Sequence, residues 1–394
     1  MKKVKILHVE NSCWDIYKFR TPMLEQMKEM GMEVILVAPL DEYFGRIDTA
    51  LYDGYIETNT LKAQRISPLA DLRYLLELKK ILLREKPDLA LFYTIKPSIY
   101  GGFASQWTGT TAIAFLTGLG YTFYNGKFLR RLVTWMSKKA FRRLEKVVVL
   151  NKDDRQKLIE TGVCGPEKLF ILPSEGIDTI HFNPMPKTNN SDKFIFLFIG
   201  RLIAAKGIRE LIAATKVLKS EGLNFECWIV GDFNYANPSV ISQKELNTWI
   251  AEKYIRYLGP TDDVRQFIRN ADVIVLPSHF YEGKPRVLQE AMAMAKPIIT
   301  TFTPGCREMV IHGENGLLVP PGDAMALSEA MRYMMELPKE AIENMGINGL
   351  KLVESNYSEI ICKSIFKTII LHSLNTNEKK IEDKLSKVGT TEIM

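Results

Sequence analysis

Apolar runs alternate with amphipathic segments from the first residues of the chain. VKILHV is followed by FRTPMLEQMKEMG and then by MEVILVA, and LRYLLELKKILLRE is followed by DLALFYT. The short runs have strand length, and the segments between them repeat their apolar residues at helical spacing, so the pattern predicts βαβ units and parallel sheets. KVVVLN and KLFILP close this first series. The polar stretch MPKTNNSDK, Met185 to Lys193, is the linker by composition. The alternation then resumes with FIFLFIG, GIRELIAATKVLKSEG, FECWIVG, IRYLG, ADVIVLP and KPIITT. The expected organisation is α/β, with one doubly wound parallel-sheet domain at 1–185 and a second at 193–356. A final helix at 357–375 is expected to pack back on the first domain, followed by a mobile polar tail at 376–394. Doubly wound sheets take ligands beyond the carboxyl ends of their strands, so two of them facing each other leave a cleft with one shelf on each side.

Composition narrows the classes. The chain has 394 residues, 46% hydrophobic and 25% charged, which suits two globular domains. MKKVKILHVENSCWD breaks its apolar run at His8 and Glu10 and reads as a first strand, not a signal peptide. No apolar run approaches the roughly 20 residues that span a bilayer. The five cysteines, Cys13, Cys164, Cys227, Cys306 and Cys362, are scattered and never spaced as CxxC, which argues against a disulfide framework and a zinc site and fits a reducing cytoplasm. His8, His181, His279, His312 and His372 share no pattern that marks one as catalytic. The net charge of +6 is uneven: residues 1–185 hold 27 Lys+Arg against 21 Asp+Glu, leaving 52 − 27 = 25 against 46 − 21 = 25 for the rest. An anionic partner is expected at the first half. A nicotinamide site after the first strand is not expected, because HVENSCWD there carries no GxGxxG.

The second half holds the most specific chemistry. FIGRLIAAKG places Arg201 just after the strand-ending Gly200 and Lys206 just before Gly207 opens a helix. Two cations beside the N–H groups of a helix start can hold a diphosphate. EGKPRVLQEAMA puts Gly283, Lys284 and Pro285 between Glu282 and a helix bearing Glu290. Gly283 permits close backbone approach and Pro285 suits a first helical position. Eight residues span at most ~12 Å in a helix, about the reach from a sugar across a diphosphate to a ribose, and each carboxylate can accept hydrogen bonds from a diol. The plain alternative is that all four charged residues are solvated surface; the joint pattern outlines a nucleotide sugar.

GRLIAAKG, EGKPRVLQEAMAMAKPII, TPGCRE and GENGLLVPPGD, in that order, resemble glycosyltransferase family 4, the retaining GT-B enzymes with two facing Rossmann-like domains. Upstream, YKFRTPMLEQMKEMGMEVILVAP, TGLGYTFYNG, VVVLNKDDRQKL and ILPSEGIDTIHF resemble the bacterial branch that builds capsular polysaccharide, lipopolysaccharide and lipid-linked glycan precursors. The resemblance reaches to about residue 372. It implies that Arg201 and Lys206 bind the donor diphosphate and stabilise the leaving nucleoside diphosphate, that Glu282 holds the transferred sugar and Glu290 the ribose, and that the backbone at Gly200 and at Gly283 to Pro285 completes the donor site. It also implies front-face chemistry in which a donor phosphate oxygen takes the acceptor proton, with no protein nucleophile. No cofactor and no metal are expected, since the chain has no Asp-x-Asp. The sequence departs from the family twice. Thr117 in FLTGLGY stands where the family often has a His, and Lys284 stands where a large apolar residue is common, leaving it to touch phosphate or point to solvent.

Gly126 to Lys146, GKFLRRLVTWMSKKAFRRLEK, has eight Lys or Arg and one Glu. At 100° per residue Lys127, Arg130, Arg131, Lys138 and Arg142 gather on one side, with Trp135 at their edge, as in a helix resting on an anionic membrane. The alternative is a core-packed helix with a solvated basic face; no RNA-binding motif accompanies it, and nucleic acid is not expected. Asn11, Arg20, Lys96 and Thr117 are the acceptor-side candidates, with Arg20 or Lys96 pairing the acceptor diphosphate. The expected protein is a cytoplasmic transferase at the inner face of the plasma membrane. It moves a hexose or N-acetylhexosamine from a UDP-sugar to a polyprenyl-diphosphate-linked saccharide. The rivals are a nucleotide-sugar epimerase of the same fold and a non-catalytic nucleotide-sugar-binding subunit.

Overall fold

The structure is a computed structural model describing residues 3–61, 67–120, 123, 127–188, 192–233, 239–279 and 281–389, with side chains undescribed at 127, 128 and 376–389. The chain forms two compact units, residues 1–176 with 360–394 and residues 177–359.

The first unit is built on seven strands: β1 (Lys5–Val9), β2 (Glu33–Ala38), β3 (Gly54–Glu57), β4 (Leu89–Tyr93), β5 (Ala112–Leu116), β6 (Lys146–Val149) and β7 (Leu169–Ile171). They lie in the order β3-β2-β1-β4-β5-β6-β7, every pairing parallel. Such a sheet is covered on both faces, which is why its inner strands read as unbroken apolar runs. Successive residues serve opposite faces. Leu7, Val9, Phe92, Ala114 and Val147 pack with Tyr74, Leu78, Ile99 and Ala140, on the inner sides of the helices Pro68–Glu85, Ile95–Thr108 and Lys127–Ala140. On the other face Ile6, Leu36, Leu91, Tyr93 and Phe115 pack with Met23, Leu24 and Met27 of the helix Thr21–Glu29.

The second unit has six parallel strands: β8 (Phe194–Ile199), β9 (Phe225–Val230), β10 (Arg256–Tyr257), β11 (Val273–Leu276), β12 (Ile298–Thr301) and β13 (Gly316–Val319), in the order β10-β9-β8-β11-β12-β13. One core holds Phe196, Ile229, Ile274 and Ile299 together with Ile208, Leu211, Leu288, Met292 and Met331 from the flanking helices. In each unit the chain reverses its direction of growth between two neighbouring strands, β1 and β4 in the first and β8 and β11 in the second. Those carboxyl edges are the ligand positions of the fold.

Two expected boundaries move. The chain enters the second unit at Ile177, before the polar stretch 185–193 expected to divide the domains. Ile177 donates to Tyr357 O at 2.9 Å and accepts from Glu359 N at 3.0 Å, and Ile177 and Phe182 join the second core. Composition located a surface loop; apolar side chains further back had already committed the chain. Residues 189–191 of that loop lie outside the described residues. The last helix runs Glu359–Gly389, through most of the stretch expected to be a tail at 376–394. That stretch has no Pro and no Gly before Gly389 and is rich in Glu and Lys, which favour helix. The first part of this helix does pack on the first unit: Cys362, Phe366, Ile369 and Ile370 form one stripe in its core.

Phe366 is fully buried and lies 5.8 Å from Phe115 between ring centroids. Phe366→Ala is expected to destabilise the first unit by about 3–5 kcal/mol, measured as a lower urea midpoint with secondary structure retained before the transition.

Candidate active site

Lys206 and Glu282, two of the residues expected on the donor side, meet at the reversal between β8 and β11. Gly200 N donates to Val230 O at 3.1 Å as β8 ends, and Leu202 N donates to Asp232 O at 2.9 Å. The chain then makes a short 3-10 turn, Ala204–Lys206, and Gly207 follows in the left-handed region at φ 77°. A β-carbon on Gly207 would stand 1.9 Å from Pro277 O, so only glycine lets this turn close onto the end of β11. That closure carries Lys206 to Glu282, and the two side chains form an ion pair, both mostly buried. Ser278 Oγ donates to Glu282 Oε1 at 3.1 Å. Gly305, at φ 79°, backs onto the same loop, where a β-carbon would be 2.3 Å from Gly283 O. Thr301 Oγ1 donates to Ser278 O at 2.6 Å from the end of β12. Ser278, Thr301 and Gly305 escaped sequence reasoning, since a hydroxyl or glycine after a strand has no distinctive spacing.

The other donor-side residues take different positions. Arg201 is exposed on the edge beyond β8. Pro285 caps the helix Arg286–Ala293 from one position outside it, and Glu290 on that helix lies 3.3 Å from Arg286 Nε. Lys284, expected to reach phosphate or solvent, does not point to solvent. Its side chain is 3% exposed, its Nζ is 2.6 Å from Glu308 Oε2, and it stands 5.3 Å from the centroid of the Tyr357 ring. The long methylene stem fills the space of the apolar residue usual in the family, and Glu308 accepts the charge at its end.

In the first unit Asn11, Lys96 and Thr117 follow β1, β4 and β5, three neighbouring strands, and so share one carboxyl edge. Asn11 Oδ1 is buried without a hydrogen-bond partner among the described residues. Lys96 Nζ is paired with Asp71 at 2.9 Å. Arg20 is a correction. It was expected to meet an acceptor diphosphate, but its side chain is 2% exposed and ion-paired with both Glu10 and Glu175, with its guanidinium carbon 4.5 Å from the Tyr93 ring centroid. A buried guanidinium needs carboxylates close by, and the fold supplies two. Burial lifts the Glu10 carboxyl above the usual range even against the pull of Arg20. His8 stacks on Tyr93 at 4.5 Å; burial, with the Arg20 charge, holds its imidazole well below its ordinary pKa.

On the helix Lys127–Ala140 and the turn after it, Arg131, Trp135, Lys138 and Arg142 are exposed and Arg130 is half-buried; the Lys127 side chain lies outside the described residues. Arg130, Arg131, Trp135 and Lys138 face Lys157 and Thr161 across a shallow surface hollow.

Comparison with known proteins identifies the family. Residues 181–352 match the family model "Glycosyl transferases group 1" and residues 20–174 match "Glycosyl transferase 4-like domain". Together they take in most of the chain, which therefore belongs to the GT-B glycosyltransferases of this family and is a glycosyltransferase. The capsular polysaccharide biosynthesis glycosyltransferase CapM of Staphylococcus aureus is 25% identical over 388 residues, covering 95% of this chain and 99% of that one. The N,N'-diacetylbacillosaminyl-diphospho-undecaprenol alpha-1,3-N-acetylgalactosaminyltransferase of Campylobacter jejuni is 27% identical, covering 82% and 86%. Among solved structures, Anabaena HepE in complex with UDP aligns with a TM-score of 0.76 at 18% identity, covering 93% of this chain and 100% of that one; at that identity the likeness bears on the fold.

Two outcomes follow from the packing. The unfolded imidazole of His8 takes a proton near pH 6.5 and the folded one only at lower pH, so below pH 6.5 the unfolded chain binds more protons and stability falls on acidification. Wild type is expected to lose up to ~1.4 kcal/mol per pH unit relative to His8→Gln in that range, read from urea titrations at several pH values. Lys284→Ala removes the buried ammonium paired with Glu308 and the packed stem that carries it, and is expected to destabilise the second unit, read as a lower melting temperature.

Proposed function

We propose that this glycosyltransferase moves a hexose or N-acetylhexosamine from a UDP-sugar to a saccharide carried on a polyprenyl diphosphate, with retention of the anomeric configuration, in the assembly of a surface polysaccharide or lipid-linked glycan. The reading rests on the meeting of Lys206 and Glu282 at the reversal between β8 and β11. An ammonium and a carboxylate in contact can bind the two adjoining parts of a nucleotide sugar at once: a phosphate oxygen on Lys206 and a sugar hydroxyl on Glu282. The acceptor class is supported by the Campylobacter relative, whose name specifies a diphospho-undecaprenol substrate. The donor is supported by the UDP held in the Anabaena neighbour. Since the named relatives transfer sugars, the epimerase and binding-subunit readings have no observation in their favour.

The residues divide the work as follows. As the bond from the anomeric carbon to the diphosphate oxygen stretches, negative charge grows on the leaving UDP. Lys206 stands fixed beside that charge, and exposed Arg201 on the same edge reaches the outer phosphate. Glu282, held by Ser278 and Lys206, orients the sugar so that its anomeric carbon faces the acceptor. Glu290 accepts hydrogen bonds from the ribose, with Arg286 beside it. The acceptor hydroxyl attacks from the leaving-group side and its proton passes to the departing phosphate oxygen, which balances the step without a protein nucleophile. On the acceptor side Asn11, Lys96 and Thr117 take the saccharide and its diphosphate. The basic helix Lys127–Ala140 rests on the anionic surface of the membrane that holds the lipid carrier, at its cytoplasmic face.

Lys206→Ala and Glu282→Gln are expected to lower kcat/KM by about 10²–10³ in protein that is still folded at the assay temperature, with melting temperatures lowered by the loss of the ion pair. Arg201→Ala is expected to act mainly on KM for the donor. Assays with a panel of UDP-sugars and short-chain polyprenyl-diphosphate acceptors measure both. Full activity in Lys206→Ala, or release of free epimer without acceptor, overturns the reading.

A further inference from the structure

The helix Pro68–Glu85 carries a feature that the transfer reaction does not use. Its inner face, with Tyr74, Leu75, Leu78, Ile81 and Leu82, is buried under the first sheet. Its outer face is also apolar. Leu69, Leu72, Leu76 and Leu83 are each 50–61% exposed, and at 100° per residue they fall within an arc of about 60°. Arg73, Lys80 and Arg84 flank this stripe on one side and Lys79 on the other, while the three acidic residues of the helix are engaged away from it: Asp71 is buried on Lys96, Glu77 bonds Asn59 and Thr60, and Glu85 pairs with Lys5 and Arg84. An amphipathic surface helix ordinarily shows polar residues to water, so four outward leucines in one stripe mark a docking surface.

The stripe is part of a wider face. Pro68–Glu85, Ile95–Thr108 and Lys127–Ala140 all sink their inner sides into one core, so their outer sides look the same way. Pro68–Glu85 packs on Ile95–Thr108, with Lys79 Nζ 5.5 Å from the ring centroid of Trp107. Ile95–Thr108 crosses Lys127–Ala140 so closely that a β-carbon on Gly102 would lie 2.8 Å from Ala140 O. Trp107 and Trp135 are each more than half exposed. Every exposed charged residue on these helices, among the described side chains, is Lys or Arg.

We infer that these three helices form one membrane-docking face, in which the leucine stripe of Pro68–Glu85 enters the acyl boundary of an anionic bilayer while the flanking cations and the two tryptophans sit among the headgroups. The inference rests on the membrane reading of Lys127–Ala140 given above and adds a second, apolar anchor to it. Apolar side chains in one line, tryptophans beside them and cations around them match the layered chemistry of a bilayer surface. A second copy of the chain fits less well, because a twofold contact through this face sets cation against cation.

The test is sedimentation of the full chain with vesicles of phosphatidylcholine alone or with phosphatidylglycerol added, at low and raised salt. It compares wild type, Leu72→Ser with Leu76→Ser, and Arg130→Gln with Arg131→Gln. Wild type is expected to bind only the anionic vesicles and to keep part of that binding at raised salt. The leucine variant is expected to bind at least about tenfold more weakly and to lose the salt-resistant part, with its melting temperature and its stabilisation by UDP-sugar unchanged. Equal vesicle binding by the leucine variant and wild type overturns the inference, and if the arginine variant alone fails to bind, the electrostatic reading of Lys127–Ala140 survives it. No binding by wild type overturns both. A wild-type dimer that ignores vesicles and dissociates in the leucine variant gives the face to a second copy and also overturns the inference.

Discussion

The contact between Lys206 and Glu282 is the constraint around which the second unit is arranged. Neither residue lies on a strand; each is delivered by the loop that leaves one. β8 and β11 are neighbours only because the chain reverses its direction of growth between them, so residues 76 positions apart leave the sheet side by side. Left-handed Gly207 then lets the first loop close against Pro277, and Gly305 lets a third loop back onto Gly283. A β-carbon at either position would push the loops apart and separate cation from carboxylate. Charge placement at this edge is therefore a consequence of backbone packing.

The first unit shows the opposite treatment of charge. Arg20 is a cation like Lys206, but Glu10 and Glu175 hold it inside the protein over the ring of Tyr93. A cation so enclosed steadies the loop after β1 and has no charge to offer a ligand. Lys284 behaves alike in the second unit, fixed by Glu308. Lys206 is also paired with a carboxylate, but its partner Glu282 stands at the carboxyl edge of the second sheet, where the proposed donor would meet both.

The helical layer beneath the first sheet gives the net positive charge of the N-terminal half a location. Its excess of Lys and Arg over Asp and Glu could have been spread evenly. Instead, among the described side chains, the exposed charges of three adjoining helices are all of one sign, and leucine and tryptophan lie among them. A lipid-linked acceptor is available only at a membrane surface. For the lipid-linked acceptor proposed above, a face of this composition would raise the concentration of the enzyme where that substrate is found.

Much was legible in the sequence because the determining signals are local. Parallel strands buried on both faces must be apolar throughout, and FIFLFI and VIVL show it directly. The residues proposed for the donor side drew notice for a related reason: loops that leave strand ends bring their cations and carboxylates to one edge, and GRLIAAKG and EGKPR are such loops. What local pattern could not supply was partnership. That Arg20 is neutralised by a carboxylate 155 positions away, that Lys284 is buried on Glu308, and that Ile177 belongs to the second unit are decided by contacts between segments remote in the chain. The outward stripe of leucines escaped for the same reason. Periodicity shows that LRYLLELKKILLRE is a helix with much leucine, but its inner and outer faces are both apolar, and only the packed sheet decides which leucines are covered.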